Sequence, residues 1–536
     1  MPPRTKFAPD WSSGPQQTIL KGTGMRLDGV LTRVELAQPN SNLDLEIASL
    51  AYDSRQAGPG TLFFAIRGEK TDGNRYFFRA IEQGARAVAS ELPRPWSAAW
   101  NELFAEDLAG GTFTPRELPA GVEWIQVAHA RKALALAAAN FFGRPAEGLK
   151  LLGVTGTNGK TTTTFLIDSI LRAAGHGTGL FGTILYRTPE ATRDAKTTTP
   201  ESLELQGFLA EVLDAGGTHA VLEASSHALA LDRVWGCPFA VAVFTNLTRD
   251  HLDFHKTFED YFAAKRRLFE GTGHGAPAAG VVNTDDAYGR RLAGLPARTL
   301  TYGLNSGAEI TTKKFALSFS GLEFAAQTPA GKIEVRSPLV GRINVYNILA
   351  AIGAALSLGI VREAIAEGIQ QLQAVPGRFE CIDLGQPFLV VVDYAHTDDA
   401  LRNLIATARE LNPSGRIITL FGCGGDRDRA KRPLMGEVAG QASDLVVLTS
   451  DNPRSEDPLC IINDVAVGLQ KTTVKYQVEP DRAAAITQAL DAARPGDIVL
   501  LAGKGHETYQ VLRDHKIDFD DREVARQALR QRGYSS

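Results

Sequence analysis

The sequence predicts an α/β protein built on parallel sheets, and three observations carry the prediction. From Leu149 onward, short apolar runs recur, each ending abruptly in a loop of polar or glycine residues. Continuous runs of this length suit strands buried on both faces, as in parallel sheets. Helix-period segments lie between some of the runs. After Lys160, the residues Leu166, Ile167, Ile170, Leu171 and Ala174 share one helical face, and Gly175 is a fitting stop. The chain has 536 residues, room for roughly three or four domains of about 150 residues each.

Taken in order, residues 1–24 read as a flexible tail, because Pro, Ser, Gly and Gln offer little to bury. Compact sequence follows to about Leu92, and the Pro93–Gly121 stretch reads as a surface insertion with some local packing. The runs then pair with loops. Leu151–Val154 leads into Thr155–Lys160, Ala220–Leu222 into Glu223–His227, and Val241–Phe244 into Thr245–His251. Further on, Leu389–Val392 leads into Asp393–His396, Ile417–Phe421 into Gly422–Asp428, Val446–Leu448 into Asp451–Arg454, and Ile498–Leu501 into Gly503–Glu507. Open α/β sheets bind ligands outside the carboxyl ends of their strands, so the chemistry is expected in these loops.

Composition narrows the function classes. The net charge of −4 argues against nucleic acid as the main partner, since phosphate binding leaves a basic footprint. Cys237, Cys381, Cys423 and Cys460 are scattered and form no C-x-x-C pair. Neither a disulfide framework nor structural zinc is expected, and a reducing cytoplasm fits. Met1–Gln17 has no apolar core and is no secretory signal. The richest apolar stretch, Ala133–Phe142, is well short of the roughly 20 residues that cross a bilayer.

The sharpest motif is Thr155-Gly-Thr-Asn-Gly-Lys160-Thr161-Thr162, a G-x-x-G-K-T loop between a strand and a helix. Glycines let backbone amides close on phosphate oxygens, and the helix N-terminus adds partial positive charge. Lys160 would neutralise the β and γ phosphates, and the Thr161 hydroxyl can hold Mg²⁺. Longer P-loops place glycine where this chain has Val154. Glu223 and His251 follow at strand ends. Together they suit a magnesium site, although alone such a Glu is more often solvated and such a His structural. Lys265, in Lys265-Arg-Arg, reads from the residues as part of a solvated basic helix face. In the last third, Arg427 with Asp428 and Asp451-Asn452-Pro453-Arg454 pair arginines with carboxylates, and Gly503 to Glu507 adds a further carboxylate and open backbone. Such a set suits a zwitterionic, amino-acid-like ligand and equally an inter-domain salt-bridge network.

Together these motifs resemble the Mur ligases, ATP-dependent amino-acid ligases of peptidoglycan synthesis, over about residues 45–525. The order is specific: Thr155–Thr162, Glu223–His227, Asn246–His255, Gly341-Arg-Ile-Asn344-Val-Tyr-Asn347, Pro376-Gly-Arg378-Phe-Glu380 and Asp393-Tyr-Ala-His396. The N-terminal Tyr52-Asp-Ser54-Arg55 and Leu62–Gly68 segments resemble the family's UDP-binding domain. The resemblance implies three domains: a UDP-binding α/β domain at 25–148 with the 93–121 insertion, a central P-loop ATPase-like parallel-sheet domain at 149–373, and a C-terminal Rossmann-like α/β domain at 374–536. Asp451-Asn452-Pro453-Arg454 resembles the loop of members that select meso-diaminopimelate. The implied reaction adds that amino acid to the D-glutamyl γ-carboxylate of UDP-N-acetylmuramoyl-L-alanyl-D-glutamate through an acyl phosphate.

The resemblance also implies roles. Gly156, Thr157, Asn158, Gly159, Lys160, Thr161, Thr162, Asn344, Arg378 and Asp393 would serve ATP. Thr161, Glu223, His251 and a carbamylated Lys265 would serve Mg²⁺, which reverses the reading of Lys265 from the residues alone. Lys160, Glu223, His251, Lys265, Arg378, Asp393 and His396 would form the catalytic set. Tyr52, Ser54, Thr198, Thr199, Ser225 and Arg233 would hold the UDP-linked substrate, and Leu231 stands where relatives carry glutamine. Arg427, Asp451, Asn452, Pro453, Arg454, Gly503 and Glu507 would hold diaminopimelate. A monomer in the cytoplasm, without nucleic acid or membrane, is expected. The alternatives are L-lysine as the amino acid, a binding protein of this fold without activity, or another ligase of the scaffold that adds D-alanyl-D-alanine or glutamate to folates. Asp53-Ser54-Arg55 and Asp451–Arg454 argue against the last two ligases.

Overall fold

Each of the seven apolar runs forms a buried strand, because Val, Ile and Leu on both faces leave no side to turn toward water. The computed structural model describes residues 24–39, 42–68, 71–95, 100, 104–105, 117–305, 307–513 and 515–535. The expected tail lies, but for Gly24, outside the described residues, as does much of the 93–121 insertion. The chain divides into two compact units, with the break between Gly143 and Arg144.

The first unit holds a four-stranded parallel sheet in the order Ser49–Ala51, Thr61–Phe64, Ala85–Ser90, Glu123–Gln126. Helices Phe77–Glu82 and Ala130–Phe141 belong to it. Its aromatic core shows what the insertion contributes. Trp100 is fully buried, with ring centroids 5.5 Å from Phe77 and 5.7 Å from Trp124. Its Nε1 donates to the Pro93 carbonyl at 2.8 Å, so its polar tip is satisfied. Removing such a side chain costs about 3–5 kcal/mol, so the insertion is part of the core as well as surface.

The second unit carries two parallel sheets. The larger has eight strands, ordered Thr192–Asp194, Leu185–Arg187, Thr178–Phe181, His219–Glu223, Lys150–Thr155, Phe239–Phe244, Ala279–Asn283 and Arg298–Tyr302. The last six run parallel and the first two form an antiparallel edge. The order reverses at Lys150–Thr155. The next strand beside it on one side is His219–Glu223, and on the other Phe239–Phe244. That is a topological switch point, where open sheets place ligands. Helix Lys160–Ala173 packs below with helices Arg342–Ser357 and Arg362–Gln371. A three-stranded antiparallel sheet, Phe315–Ser318, Gly321–Ala326 and Ile333–Ser337, is added; the apolar runs gave no sign of it, since its strands alternate buried and exposed residues.

The smaller sheet is ordered Glu380–Ile382, Leu389–Asp393, Ile498–Ala502, Ile417–Phe421, Leu445–Leu448, Lys475–Val478. Only the Glu380–Ile382 edge is antiparallel. The late strand Ile498–Ala502 inserts between the two earliest parallel ones. This brings the loop after Ala502 beside those after Asp393 and Phe421. The fold is thus α/β with parallel central sheets, as the runs predict. Among the described residues, no helix is long and apolar enough to cross a membrane.

Candidate active site

The phosphate loop runs from strand Lys150–Thr155 into helix Lys160–Ala173. Gly156 adopts φ +146°, and a Cβ there would lie 1.9 Å from Thr245 Oγ1. Only glycine lets the loop pass so close to the neighbouring strand's end. Lys160 Nζ donates to the carbonyls of Gly156 at 3.0 Å and Thr157 at 2.7 Å. Burial lowers its pKa, while Glu223 and Asp250 oppose that shift. The Asn158 amide nitrogen donates to Asn246 Oδ1 at 3.0 Å, which fixes the loop's tip.

Residues from the smaller sheet close over this loop. Arg378 Nη2 donates to Thr161 Oγ1 at 3.2 Å, and Asn158 Nδ2 donates to Asp399 Oδ2 at 2.8 Å. The Arg378 guanidinium lies 4.5 Å from the Tyr394 ring centroid, a cation–π arrangement that steadies it. Asp393 accepts from the amides of Phe379 at 2.7 Å and Ala395 at 2.8 Å. Burial raises its pKa despite those bonds and Arg378. His396 Nδ1 lies 2.9 Å from the Tyr394 carbonyl. A carbonyl only accepts, so Nδ1 carries the proton and Nε2 is the acceptor. Burial pushes the His396 pKa down to about 4.

Between the two sheets lies a cavity of about 240 Å³. Its lining includes Thr157 to Thr162, Thr198, Glu223, Ser225, His251, Lys265, Asn344, Arg378, Asp393 and His396. Fifteen expected residues therefore share one cavity, although they come from eight separate stretches of chain. Gly156 supplies a carbonyl just behind it. Asn344 is tied by its Nδ2 to the Val340 carbonyl at 2.7 Å and accepts from Asn347 at 2.9 Å.

The groups expected to serve a metal meet here. Glu223 is fully buried and accepts from the Thr183 amide at 2.8 Å and hydroxyl at 3.0 Å. His251 is pushed to a pKa of about 3, chiefly by burial against the pull of Asp250, whose carboxylate is 3.3 Å away. Lys265 is fully buried. Its Nζ donates to the Gly156 carbonyl at 2.7 Å and sits 4.4 Å from the Tyr261 ring centroid. Burial, then Lys160, lowers its pKa well below the usual lysine value. The solvated-face reading of Lys265 from the residues is therefore overturned. Arg266 and Arg267 turn away to pair with Glu270 and Asp232. The Glu223 carboxylate and Thr161 hydroxyl are oxygen donors that fit a hard cation beside phosphates, the neutral His251 imidazole can join them, and Lys265 would do so only as a carbamate, which supplies oxygens. Among the described residues, no three His, Cys, Asp or Glu side chains converge as a cage of their own.

Beside the cavity, Thr199 Oγ1 donates to the Glu223 carbonyl at 2.6 Å and accepts from the Ser225 amide at 3.1 Å. Arg233 Nη1 donates to the Thr199 carbonyl at 3.1 Å and its Nε pairs with Glu201. The Thr198 hydroxyl lies 3.2 Å from the Thr183 hydroxyl. Leu231 caps the helix Ser226–Ala230. Tyr52 and Ser54 lie in the first unit, where Ser54 opens a short 3-10 helix and is buried.

The remaining expected residues gather at the carboxyl end of the smaller sheet. Arg454 Nη1 donates to the Gly425 carbonyl at 2.6 Å, with a left-handed backbone at φ +53°. Burial, then Arg427, lowers its pKa, against Asp451, Glu507 and Asp426. Asn452 Nδ2 donates to Glu507 Oε2 at 2.9 Å. Gly503 has φ +110°, and a Cβ there would meet Asp451 Oδ2 at 2.7 Å. Pro453 lies between Asn452 and Arg454 in the same loop. The contacts of Arg454, Asn452, Asp451 and Glu507 stay on one sheet, whereas Asp428 of the same cluster pairs across to Arg249 at 3.5 Å, so the cluster is in part a network between the two sheets.

Sequence reasoning missed Asp399 and Lys504. Lys504 is fully buried and bonds Glu507 at 3.0 Å and Asn452 at 3.4 Å. Its place between Gly503 and Gly505, after an apolar run, was the available signal. Asp399 had none, since its partner Asn158 is 241 positions away.

The fold and site define a class: a multidomain α/β enzyme that brings a phosphate loop from one parallel sheet under an arginine from another. Family models described as "Mur ligase family, catalytic domain", "Mur ligase middle domain" and "Mur ligase, glutamate ligase domain" match residues 46–142, 154–355 and 377–505. The chain belongs to the Mur ligase family. A relative from Solibacter usitatus, a UDP-N-acetylmuramoyl-L-alanyl-D-glutamate--2,6-diaminopimelate ligase, is 56% identical over 95% of this chain and 99% of its own. A ligase of the same name from Geobacter metallireducens is 43% identical over 95% of this chain and 99% of its own. A solved structure with that name superposes with a TM-score of 0.63 at 32% identity, covering 96% of this chain and 100% of the other.

Proposed function

We propose that the chain joins meso-diaminopimelate to the D-glutamyl γ-carboxylate of UDP-N-acetylmuramoyl-L-alanyl-D-glutamate at the expense of ATP. The observation that carries the reading is the single cavity in which Lys160, Arg378, Glu223, His251 and Lys265 meet. The names of relatives aligned over nearly the whole chain support the substrates. In the first step a γ-carboxylate oxygen attacks the γ-phosphorus, the bond to ADP breaks, and an acyl phosphate forms. In the second the diaminopimelate amine attacks the acyl carbon, phosphate leaves, and the amine loses a proton as the amide forms.

Phosphoryl transfer of this kind needs positioning and charge neutralisation more than covalent help. Lys160, now bonded to two backbone carbonyls, exchanges them for phosphate oxygens. Arg378 faces the same oxygens from the other sheet, and Asp393 orients it by holding the Phe379 and Ala395 amides. Asn344 serves the nucleotide. His396, neutral with Nε2 free to accept, is placed to take a proton. Thr161, Glu223, His251 and Lys265 as its carbamate would hold Mg²⁺, which supplies charge neutralisation at the phosphates when bound. Tyr52 and Ser54 bind the UDP moiety, and Thr198, Thr199, Ser225 and Arg233 the muramoyl dipeptide. Arg427, Arg454, Asp451 and Glu507 offer both signs of charge to a zwitterion. Two sheets closing on the acyl phosphate keep water from it.

The domains of this reading are 25–148, 149–373 and 374–536. The protein acts as a cytoplasmic monomer, where Cys237, Cys381, Cys423 and Cys460 stay unpaired. The test is phosphate release with ATP, Mg²⁺ and the UDP-linked dipeptide, with diaminopimelate or L-lysine in separate reactions and products weighed by mass spectrometry. Turnover with diaminopimelate alone is expected. Turnover mainly with lysine would overturn the specificity, and none with either would favour a binding protein without activity.

A further inference from the structure

Strands Leu445–Leu448 and Ile498–Ala502 carry the loops that hold Asp451–Arg454 and Gly503–Glu507. They are not neighbours in the sheet; Ile417–Phe421 lies between them. No ladder hydrogen bond can therefore set the position of one loop against the other. At their bases a buried side chain bridges them. Arg482 opens the helix Arg482–Asp491 and is only 2% exposed. Its Nη1 donates to the Ser450 carbonyl at 3.3 Å and its Nη2 to the Ala502 carbonyl at 3.0 Å. Ser450 and Ala502 immediately precede Asp451 and Gly503. Asp521, on the helix Asp521–Gln531, grips the same guanidinium in bidentate fashion, at 2.8 Å to Nε and 2.6 Å to Nη2. Asp521 is itself fully buried.

We infer that Arg482 and Asp521 are positioning residues that set the spacing of the two diaminopimelate loops, an inference that rests on the function proposed above. The links nearer the ligand, Asn452 to Glu507 and Lys504 to Asn452, use side chains that the substrate itself engages. Arg482 lies behind the binding surface, where no substrate reaches it. A burial this complete is costly for a charge, and two helices plus two strand ends converge to satisfy it. A fork of fixed planar donors measures distance between two carbonyls in a way that a lysine's point charge does not.

The test is steady-state kinetics with each substrate varied in turn, alongside thermal melting, for Arg482→Lys, Asp521→Asn and the double variant Arg482→Met with Asp521→Leu. The apolar pair removes the fork without leaving a lone buried charge, so it gives the reading for any single variant whose melting temperature falls. All three are expected to raise KM for diaminopimelate by about tenfold while KM for ATP and the UDP-linked dipeptide stays put. A double variant that melts like the wild type and keeps its diaminopimelate KM would overturn the inference, as would an equal rise in all three constants. Wild-type turnover reports separately on the function, because the inference is read only from the ratio of variant to wild type with whichever diamino acid is used.

Discussion

Arg378 and Thr161 stand 217 positions apart in the chain and meet across 3.2 Å, guanidinium to hydroxyl. Thr161 belongs to the first turn of the phosphate-loop helix, and Arg378 to the turn before the first strand of the other sheet. The bond therefore reports that the two sheets are closed on one another. With Asn158 and Asp399 beside it, it places a fixed cation opposite Lys160, so an anionic group between them is neutralised from two sides. Arg378→Ala is expected to lower kcat by about 10²-fold or more, with KM for diaminopimelate unchanged, as stopped-time phosphate release will show.

Lys160 gives the sharper effect, because it is the cation bonded to the loop's own carbonyls. Lys160→Ala removes nearly all turnover, on the order of 10³-fold or more. The UDP-linked dipeptide should still bind by calorimetry, which separates loss of chemistry from loss of fold.

Lys265 is buried, and burial, then Lys160, lowers its pKa well below the usual lysine value. A neutral amine is the form that adds carbon dioxide. In ¹³C-bicarbonate the wild type is expected to show a carbamate carbon resonance that Lys265→Arg lacks. Its absence from an active wild type would mean that the free amine serves.

Arg454 is the half-buried guanidinium of the cluster proposed to hold the amino acid, bonded to the Gly425 carbonyl. Arg454→Ala should raise KM for diaminopimelate by about tenfold or more and leave the UDP-linked dipeptide's KM alone. Equal effects on both, in the same kinetic series, would remove this loop from the amino-acid site.

Away from the site, His219 is buried at the start of its strand, with the His176 ring 4.4 Å away. Burial, then His176 and Lys150, lowers its pKa from 6.5 to about 4. Below pH 6.5 the unfolded chain binds a proton that the folded one refuses, so stability rises with pH in this window. The contribution is whole above pH 6.5 and is lost as the pH falls toward 4. His219→Asn should remove part of this dependence, on the order of 2 kcal/mol, in denaturant melts at pH 7 and pH 4.5.

Much of this was legible in the sequence because the signals were contiguous. Gly156–Thr162 is one loop, and its glycine is demanded by a single close approach to Thr245. The buried parallel strands announced themselves as apolar runs. Lys265 was misread from its residues because Lys-Arg-Arg looks like a solvated face. Its spacing told otherwise: Tyr261, Lys265, Leu268 and Phe269 recur at helical period and are all buried. Trp100 shows the same limit in the insertion, where prolines and glycines hid a core residue. Arg482, Asp521 and Asp399 were illegible for another reason. Each acts through a partner tens or hundreds of residues away, and no local pattern marks it.

The central claim is that this cavity activates a carboxylate as an acyl phosphate. The most direct measurement supplies UDP-N-acetylmuramoyl-L-alanyl-D-glutamate labelled with ¹⁸O in the γ-carboxylate, together with ATP, Mg²⁺ and diaminopimelate. The account predicts one ¹⁸O in the released inorganic phosphate for each amide formed. Unlabelled phosphate, or AMP and pyrophosphate in its place, would contradict it.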